Sequence, residues 1–555
     1  MGKRKRLQKT QKPKVGRPRK ELWVWVALGV ILIFFAAIRI RFLSIPLERD
    51  EGEYAYAGQL ILQGIPPYQL AYNMKMPGIY YAYALVMAVF GQSIVGIHLG
   101  LLLVNAGAIA LVFFVGRRLF DSTVGLAAAA AYGLLTINQW IFGPQAHATH
   151  FVVLAALGGT LFLLKALESR RPSHVFWSGL LLGIGFTMKQ AGIFFIAFAI
   201  LYLAWNDLRK RPIRPAWFLG RASLLAGGAA MPFLLICSVL YAKGVFSRFW
   251  FWAVSYATQY VSEIPLSVGV NTFLNNTKAM LIPSYLLWIF AGLGLILLWL
   301  DVKSRPRGVF ITGFFLFTFL SICPGLYFRQ HYYVTWMPAL ALLIGVAVGA
   351  GRNLLRLAPA LRSLSFVPGA GFIIAMFITM NAQADFLFSV PVDWASHMMY
   401  GGSPWTETKE IAQHIKQRTT PADTIAVLGS EPQIYFYSER KSATGYIYTY
   451  SLTEPQEFAH QMQLEMINEI EKARPKYIVF VDIRTSWMPR PQSDQTIFLW
   501  RQKYCASNYS LAGFVQSYLT GQSWSDYHTD YVWGDDVQTR KPNPQFECIY
   551  IFERK

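Results

Sequence analysis

The sequence contains eleven long apolar stretches separated by short charged or polar segments. They lie at residues 22–43, 93–116, 123–139, 145–165, 174–188, 191–206, 217–241, 283–300, 308–326, 332–350 and 365–384. A helix needs about 20 largely apolar residues to cross the hydrocarbon core of a bilayer, so these stretches predict transmembrane helices. Only 15% of all residues are charged, whereas soluble domains average roughly 25%. We therefore expect a polytopic α-helical membrane protein with about 11 transmembrane helices.

The basic residues favour one orientation of these helices. With the N-terminus in the cytoplasm, 26 Lys and Arg residues fall on the cytoplasmic side and 9 on the outer side. The positive-inside rule then predicts a multi-pass protein of the plasma (inner) membrane with a cytoplasmic N-terminus. An odd number of spans places the C-terminal region outside the cytoplasm. The basic tail at 1–21 is interpreted as a topology and membrane-lipid signal, and no nucleic-acid partner is expected.

The C-terminal region differs in composition and pattern. Residues 385–555 hold 16 basic and 20 acidic residues. The pattern predicts a helix at 404–418 capped at Ser403, a strand at 423–429, a helix at 454–475, and strands at 476–482 and 546–552. This alternation indicates a small α/β domain, in which we find no catalytic motif. Cys505 and Cys548 both fall in it, and an oxidising compartment would permit a bridge between them.

These patterns divide the chain into three parts. They are a cytoplasmic basic tail at 1–21, a transmembrane domain at 22–384 with its first outer loop at 44–92, and an extracytoplasmic α/β domain at 385–555.

Four acids crowd into the first outer loop, in the segment LERDEGEYAY. Like charges this close repel one another and raise their pKa values unless a cation lies among them. One interpretation is structural, with Asp50 as the N-cap of a short interfacial helix and Glu51 and Glu53 in its first turn. Lys75 follows, just before a helix with Pro77 at its start. Its structural alternative is an interfacial lysine that extends toward the membrane surface.

The loop resembles that of a GT-C glycosyltransferase of the protein O-mannosyltransferase superfamily (family 39). This group includes the bacterial aminoarabinose transferase of lipid A and the Rgt-type sugar transferases. The residues that carry the resemblance are Asp50, Glu51, Tyr54, Gly64, Pro67, Tyr68, Lys75, Pro77 and Gly78. The resemblance implies a GT-C fold, a sugar donor on a polyprenyl monophosphate, and a catalytic base at the position of Asp50. Glu51 is the second candidate catalytic residue, with the role of orienting a neighbour or binding a cation. Some relatives have an arginine where this chain has Glu53.

Transfer from a lipid phosphate requires a base for the acceptor proton and cations for the phosphate charge. Lys75, Lys189 and Arg329 lie on the outer side and are the candidate cations. The other candidate donor contacts are Tyr54, His331, Tyr332 and Tyr333. The alternative for Arg329 and its aromatic neighbours is an interfacial belt. No cofactor is required for a monophosphate leaving group, and a divalent cation is compatible but not indicated.

The sequence thus predicts a membrane glycosyltransferase that moves a sugar from a polyprenyl-phosphate donor to a lipid, glycan or protein acceptor on the outer side, with Asp50 as general base. The alternative is a polytopic transporter or flippase of a lipid-linked or cell-envelope substrate. Ion-coupled transporters place ionisable groups near the bilayer midplane. Here the acids concentrate at one outer interface, which favours the enzyme.

Overall fold

The computed structural model describes residues 21–169, 171–212, 214–261, 263–521 and 524–555. The predicted basic tail lies outside this range, apart from Glu21. The first part of the chain is helical. Its first nine helices are α1 (Leu22–Arg41), α2 (Arg49–Leu62), α3 (Gly78–Phe90), α4 (Ile94–Leu119), α5 (Ser122–Leu135), α6 (Ala148–Ser169), α7 (Pro172–Met188), α8 (Ile193–Leu208) and α9 (Pro215–Ala242). The helices that follow are Phe246–Trp250, Ala257–Val261, Leu266–Leu281, Tyr285–Leu300, Gly308–Leu320, Met337–Leu357, Val367–Asn381 and Val392–Tyr400.

Within the described residues, eight helical segments are long and apolar enough to cross a membrane. They are Leu22–Arg41, Ile94–Leu119, Ala148–Ser169, Gln190–Leu208, Pro215–Ala242, Leu266–Leu300, Met337–Leu357 and Pro359–Asn381. Three other predicted spans correspond to the shorter helices α5, α7 and Gly308–Leu320. The prediction of a polytopic helical protein is therefore confirmed.

The C-terminal region forms a mixed six-stranded sheet flanked by helices, as predicted. Its strands are β1 (Thr424–Leu428), β2 (Lys441–Ser442), β3 (Tyr477–Asp482), β4 (Tyr509–Leu519), β5 (Tyr527–Trp533) and β6 (Cys548–Arg554), in the order β2-β1-β3-β6-β4-β5. The first three strands pair in parallel and the others antiparallel. The flanking helices are Glu407–Arg418, Gln433–Ser438, Tyr450–Thr453, Ala459–Ala473, Arg484–Trp487, Thr496–Asn508 and Asp536–Thr539.

Two sequence predictions for this region are corrected. Ser403 does not cap the first helix, which begins at Glu407 after Thr406 and has no side-chain cap. All four cysteines are free thiols. Cys505 packs in the large apolar core that contains residues of α2 and of the sheet, whereas Cys548 packs with Phe514 in a separate small cluster. The two cysteines therefore do not contact each other.

The first outer loop and the C-terminal region share one apolar core. Tyr56 of α2 lies 5.1 Å from Tyr435, ring centre to ring centre, and its hydroxyl accepts a hydrogen bond from the Ser442 N–H at 2.7 Å. A Cβ atom on Gly52 would lie 2.7 Å from the Gln433 backbone nitrogen, so only glycine allows this approach of α2. α2 is therefore buried between the helical bundle and the sheet region.

Candidate active site

The first turn of α2 carries the acids of the first outer loop. The Glu48 carboxylate accepts a hydrogen bond from the Glu51 N–H at 2.9 Å, and the Glu51 carboxylate accepts one from the Glu48 N–H at 3.3 Å. This reciprocal pair is a capping box. The interpretation of Asp50 as the N-cap is therefore wrong. Because Glu48 takes that role, the Asp50 side chain is left for another contact.

Asp50 pairs with the lysine that the sequence singled out. The Lys75 ammonium donates to the Asp50 carboxylate at 2.9 Å, and both side chains are largely buried. Burial alone would raise the pKa of Asp50, but the adjacent Lys75 ammonium and the other nearby basic groups together more than offset it and hold that pKa below its usual range. Burial likewise disfavours the Lys75 cation, yet Asp50 raises the pKa of Lys75 well above its ordinary value. Both groups are therefore charged at neutral pH.

The loop around Lys75 is held at both ends. The Tyr68 hydroxyl donates to the Lys75 carbonyl at 2.6 Å, and the Gln190 amide donates to the Met74 carbonyl at 2.8 Å. A Cβ on Gly78 would lie 2.4 Å from the Thr187 carbonyl oxygen. This glycine therefore allows the start of α3 to reach the end of α7, which brings Lys75 toward Lys189.

Two stacked histidines lie beside Asp50. The His331 Nε2 atom is 3.8 Å from the Asp50 carboxylate, and the rings of His331 and His147 are 4.2 Å apart. Burial lowers the pKa of His147 to about 3 and that of His331 well below its usual value, so both rings are neutral.

One ligand atom from each of these three residues lies within 4.8 Å of the others. Two neutral imidazoles and a carboxylate are suitable ligands for a divalent cation. Such an ion would be repelled by Lys75, which already holds Asp50. The donor set is thus compatible with a metal without requiring one.

Lys189 lies in the turn between α7 and α8. Its ammonium is 3.7 Å from the centre of the Tyr332 ring, and no salt bridge among the described residues reaches it. Burial lowers the pKa of Lys189, and the nearby Lys75 cation lowers it further. A buried lysine without a counter-ion gives up its proton readily, and a bound anion would restore and stabilise the charged form.

Arg329 lies on the opposite wall, among aromatic rings. Its guanidinium donates to the Tyr260 hydroxyl at 3.4 Å and lies 5.5 Å from the Tyr327 ring centre and 5.9 Å from that of Tyr450. Tyr450 belongs to the C-terminal region. The arginine therefore faces the sheet region across the site and is not confined to an interfacial belt.

Two pockets meet at Lys75. The polar pocket is lined by Asp50, Tyr72, Asn73, Met74, Lys75, Trp252, Tyr256, Tyr260, Arg329, His331, Tyr332, Tyr448, Tyr450, Ser451 and Glu454. The apolar pocket is lined by Tyr54, Met74, Lys75, Met76, Ala148, Met188, Lys189, Gln190, Ala191, Ala257, Tyr260, Val261, Ser321, Pro324 and Tyr332. Met74, Lys75, Tyr260 and Tyr332 belong to both. Lys75 thus lies where the polar pocket joins the apolar one, and Lys189 lines the apolar pocket.

Three acidic or aromatic residues of the loop regions lie behind these walls. The Glu51 carboxylate pairs with His98 at 3.0 Å and accepts the Ala146 N–H, so it anchors α2 to the bundle. Glu53 accepts hydrogen bonds from Asn73 at 2.6 Å and from the Tyr80 hydroxyl. Tyr333 packs inside the bundle, with its hydroxyl 3.1 Å from that of Thr277. These contacts suit structural support of the site.

Sequence reasoning missed the wall contributed by the C-terminal region. Tyr448, Tyr450 and Glu454 close the polar pocket opposite Asp50. The aromatic run around residue 448 was the available signal, since tyrosines with a nearby acid suit a polar binding surface. The aromatic segment 246–261 also contributes to this pocket, through Trp252, Tyr256 and Tyr260.

Comparison with known proteins agrees with this fold. Residues 74–236 match the family model described as dolichyl-phosphate-mannose-protein mannosyltransferase. A relative from Pseudomonas paraeruginosa, an undecaprenyl phosphate-alpha-4-amino-4-deoxy-L-arabinose arabinosyl transferase, is 27% identical over 252 residues, which cover 42% of this chain and 43% of the relative. The lipopolysaccharide core galacturonosyltransferase RgtB of Rhizobium johnstonii is 26% identical over 213 residues, which cover 38% of this chain and 41% of that protein. The matches thus span less than half the length of these relatives.

The likeness of structure extends further along the chain. The crystal structure of ArnT from Cupriavidus metallidurans bound to undecaprenyl phosphate superposes with a TM-score of 0.57 at 16% identity. The match covers 94% of this chain and 100% of that one. The resemblance inferred from the first outer loop is therefore confirmed, and the chain has a GT-C-like fold, shared with this ArnT structure.

Proposed function

We propose that this protein transfers a sugar from a polyprenyl-phosphate donor to an acceptor hydroxyl on the outer side of the membrane, with Asp50 as the general base. The observation that carries the proposal is the buried Asp50–Lys75 pair at the junction of the polar and apolar pockets. The similarity to transferases that are named for undecaprenyl-phosphate sugars supports the donor class.

The apolar pocket suits the lipid end of the donor. Its methionine and alanine side chains offer contacts to a prenyl chain, while Lys189 and Lys75 face it as cations. A phosphate there would pair with the otherwise uncompensated Lys189 ammonium. Tyr54 and Tyr332 would form the walls beside the phosphate.

The polar pocket carries the groups that would act on the sugar and the acceptor. Its volume is about 40 Å³, so its walls would have to part to admit them. The acceptor hydroxyl attacks the anomeric carbon and passes its proton to the Asp50 carboxylate. The bond from that carbon to the phosphate oxygen breaks, and the electron pair leaves with the phosphate. Lys75, Lys189 and Arg329 stabilise the charge that develops on it.

Donor binding itself would prepare the base. In the free protein Lys75 holds the pKa of Asp50 low, which makes the carboxylate a weak base. A donor phosphate would draw the Lys75 ammonium toward itself and reduce that effect. The pKa of Asp50 would then rise, so the base becomes effective only when a donor is in place.

The experiment is incubation of the purified full-length protein with radiolabelled polyprenyl-phosphate sugars, with and without envelope acceptors, followed by measurement of label loss and transfer. We expect release of sugar from one donor and persistence of activity in chelator, since three cations already face the phosphate. Passage of intact donor across proteoliposomes without cleavage would instead favour a flippase. Loss of activity in chelator, restored by a divalent cation, would assign a metal to Asp50, His147 and His331.

We also propose that the protein resides in the plasma (inner) membrane with its N-terminus in the cytoplasm, on the basis of the loop charges. Tags at residues 1 and 555 should then report opposite sides of the membrane. Tags on one side would contradict this orientation.

A further inference from the structure

A second cleft lies on the sheet region, apart from the two pockets at Lys75. It has a volume of about 540 Å³, a size suited to a small ligand of one or two sugar rings. Its lining residues come from the helix Val392–Tyr400 and the turn that follows it, the start of the helix Glu407–Arg418, strands β4, β5 and β6, and the short segments after β3 and before β6. None of the residues that line the polar and apolar pockets lines this cleft.

A buried carboxylate lies at the base of this cleft. Glu407 is only 1% exposed, and one of its oxygens accepts hydrogen bonds from the hydroxyls of Tyr527 at 2.7 Å, Ser517 at 2.9 Å and Thr529 at 3.3 Å. Its other oxygen is buried and has no hydrogen-bond partner. A buried unpaired acceptor is costly, so this oxygen is suited to a donor supplied by a ligand.

Aromatic rings form the two sides of the cleft. On one side the rings of Tyr527 and His397 are 4.1 Å apart, with Trp394 at 6.1 Å from Tyr527. On the other side Phe546 stacks on Tyr518 at 5.2 Å, and Phe546 is 40% exposed. Flat apolar faces beside hydrogen-bonding groups match a sugar ring, which has both C–H faces and hydroxyl edges.

The charge of the cleft narrows the ligand class. Glu407 and Glu547 both line it, and the described lining residues include no lysine or arginine. A phosphate or a uronate would meet two carboxylates without a cation, which disfavours anionic ligands. A neutral or amino-bearing saccharide instead supplies O–H or N–H donors to the free oxygen of Glu407.

The cleft is connected to the candidate active site through one short segment. The Tyr400 hydroxyl lies 3.2 Å from the His147 ring, which stacks on His331 beside Asp50. The next two residues, Gly401 and Gly402, line the cleft. We therefore propose that the cleft binds a neutral or amino-bearing saccharide that forms part of the acceptor, an assignment to the acceptor that rests on the proposed function.

The test is saccharide binding by the purified full-length protein without donor. Neutral, amino-sugar and uronate-containing disaccharides are titrated to millimolar concentrations, and binding is followed by calorimetry. We expect neutral or amino sugars to bind and uronates to bind more weakly. Because no donor is present, this result does not depend on transfer activity.

Glu407→Gln is the main variant, since it keeps the shape of the side chain. Its amide oxygen can still accept from Tyr527, Ser517 and Thr529, which turns the N–H₂ group toward the cleft in place of an acceptor. We expect saccharide affinity to fall by at least about tenfold, the scale of one hydrogen bond to a charged group. In a transfer assay the acceptor KM should rise, with donor binding and kcat little changed.

Phe546→Ala is a second test of the cleft, for the case in which Glu407→Gln does not fold. It removes a partly exposed ring. It should also weaken saccharide binding. The matched control is Trp500→Ala on the helix Thr496–Asn508, where Trp500 stacks on Tyr504 at 4.9 Å outside the cleft. This control should bind saccharides as the unmodified protein does.

Two outcomes overturn the proposal. Either no disaccharide binds the unmodified protein, or Glu407→Gln and Phe546→Ala bind as tightly as it does. In both cases the free oxygen of Glu407 would not be a saccharide contact. Intact saccharide binding together with absent sugar transfer would instead reject the proposed function and leave the cleft as a saccharide site.

Discussion

The guanidinium of Arg49 lies 3.1 Å from the carboxylate of Glu431, so a buried ion pair joins the residue next to Asp50 to the sheet region. Arg49 also donates to the Ser430 carbonyl at 2.6 Å and to the Tyr450 hydroxyl, and its guanidinium lies 5.0 Å from the centre of the Trp405 ring. The first turn of α2 is thus fixed by the sheet region as well as by the bundle.

This pair predicts a large effect of Arg49→Leu on stability. The change leaves Glu431 buried without its cation, which costs about 3–5 kcal/mol in comparable cases. Thermal unfolding and limited proteolysis of the sheet region should both report the loss. The double variant Arg49→Leu with Glu431→Leu should regain part of it, since no lone charge remains. An equal loss of stability in the single and double variants would contradict the explanation by an uncompensated charge on Glu431.

Asp50→Asn tests the base. The variant keeps the size of the side chain but cannot take a proton, so we expect transfer to fall by roughly 100-fold or more. Helix α2 should remain stable because Glu48, and not Asp50, provides the cap. Transfer rate, donor affinity and melting temperature are measured on the same preparation. The exposed Asp393→Asn serves as control, and full transfer by Asp50→Asn would refute the site assignment.

Lys189→Met should weaken donor binding without lowering the stability of the protein. Removal of a buried amino group that has no counter-ion should leave the melting temperature unchanged or raised. Donor affinity should fall by about 10- to 100-fold, the range for hydrogen bonds to charged groups. Binding of a polyprenyl phosphate is the measurement. Lys278→Met, at an exposed position, should alter neither quantity, and unchanged donor affinity in Lys189→Met would place the phosphate elsewhere.

Glu53 should make stability depend on pH. Burial raises its pKa from 4.5 to about 7, although Lys75 opposes the shift. The folded protein therefore holds this proton more tightly than the unfolded chain, and stability falls as pH rises from about 4.5 to 7. Glu53→Gln lacks this titration. The melting temperature of the variant minus that of the unmodified protein should therefore be more positive at pH 8 than at pH 5. A difference that does not vary with pH would contradict the assignment.

The sequence predicted the parts of the structure that depend on local pattern. The length of the apolar stretches located the membrane spans, and the alternation of strands and helices located the sheet region. The cap was assigned wrongly because Asp is a favoured N-cap, whereas here a Glu at position 48 caps through its partner three residues later. Asp50 and Lys75, predicted separately, meet at 2.9 Å.

The long-range contacts that assemble the rest of the site had no local signal. Arg49 and Glu431 are 382 positions apart, and nothing in either segment alone predicts their contact. The same holds for Tyr448 and Glu454, which reach the polar pocket only because α2 packs against the sheet region. Long-range packing of this kind depends on the whole fold.

The shared core of α2 and the sheet region sets an order for biogenesis. Asp50 comes early in the chain, but the wall formed by Tyr448, Tyr450 and Glu454 is made only after all the membrane helices. During synthesis the Asp50 carboxylate is therefore present before the pocket around it is closed. If the protein is the transferase proposed above, a chain that ends before the sheet region would keep Asp50 and its lysines without this wall, and we expect it to leave a polyprenyl-phosphate sugar uncleaved.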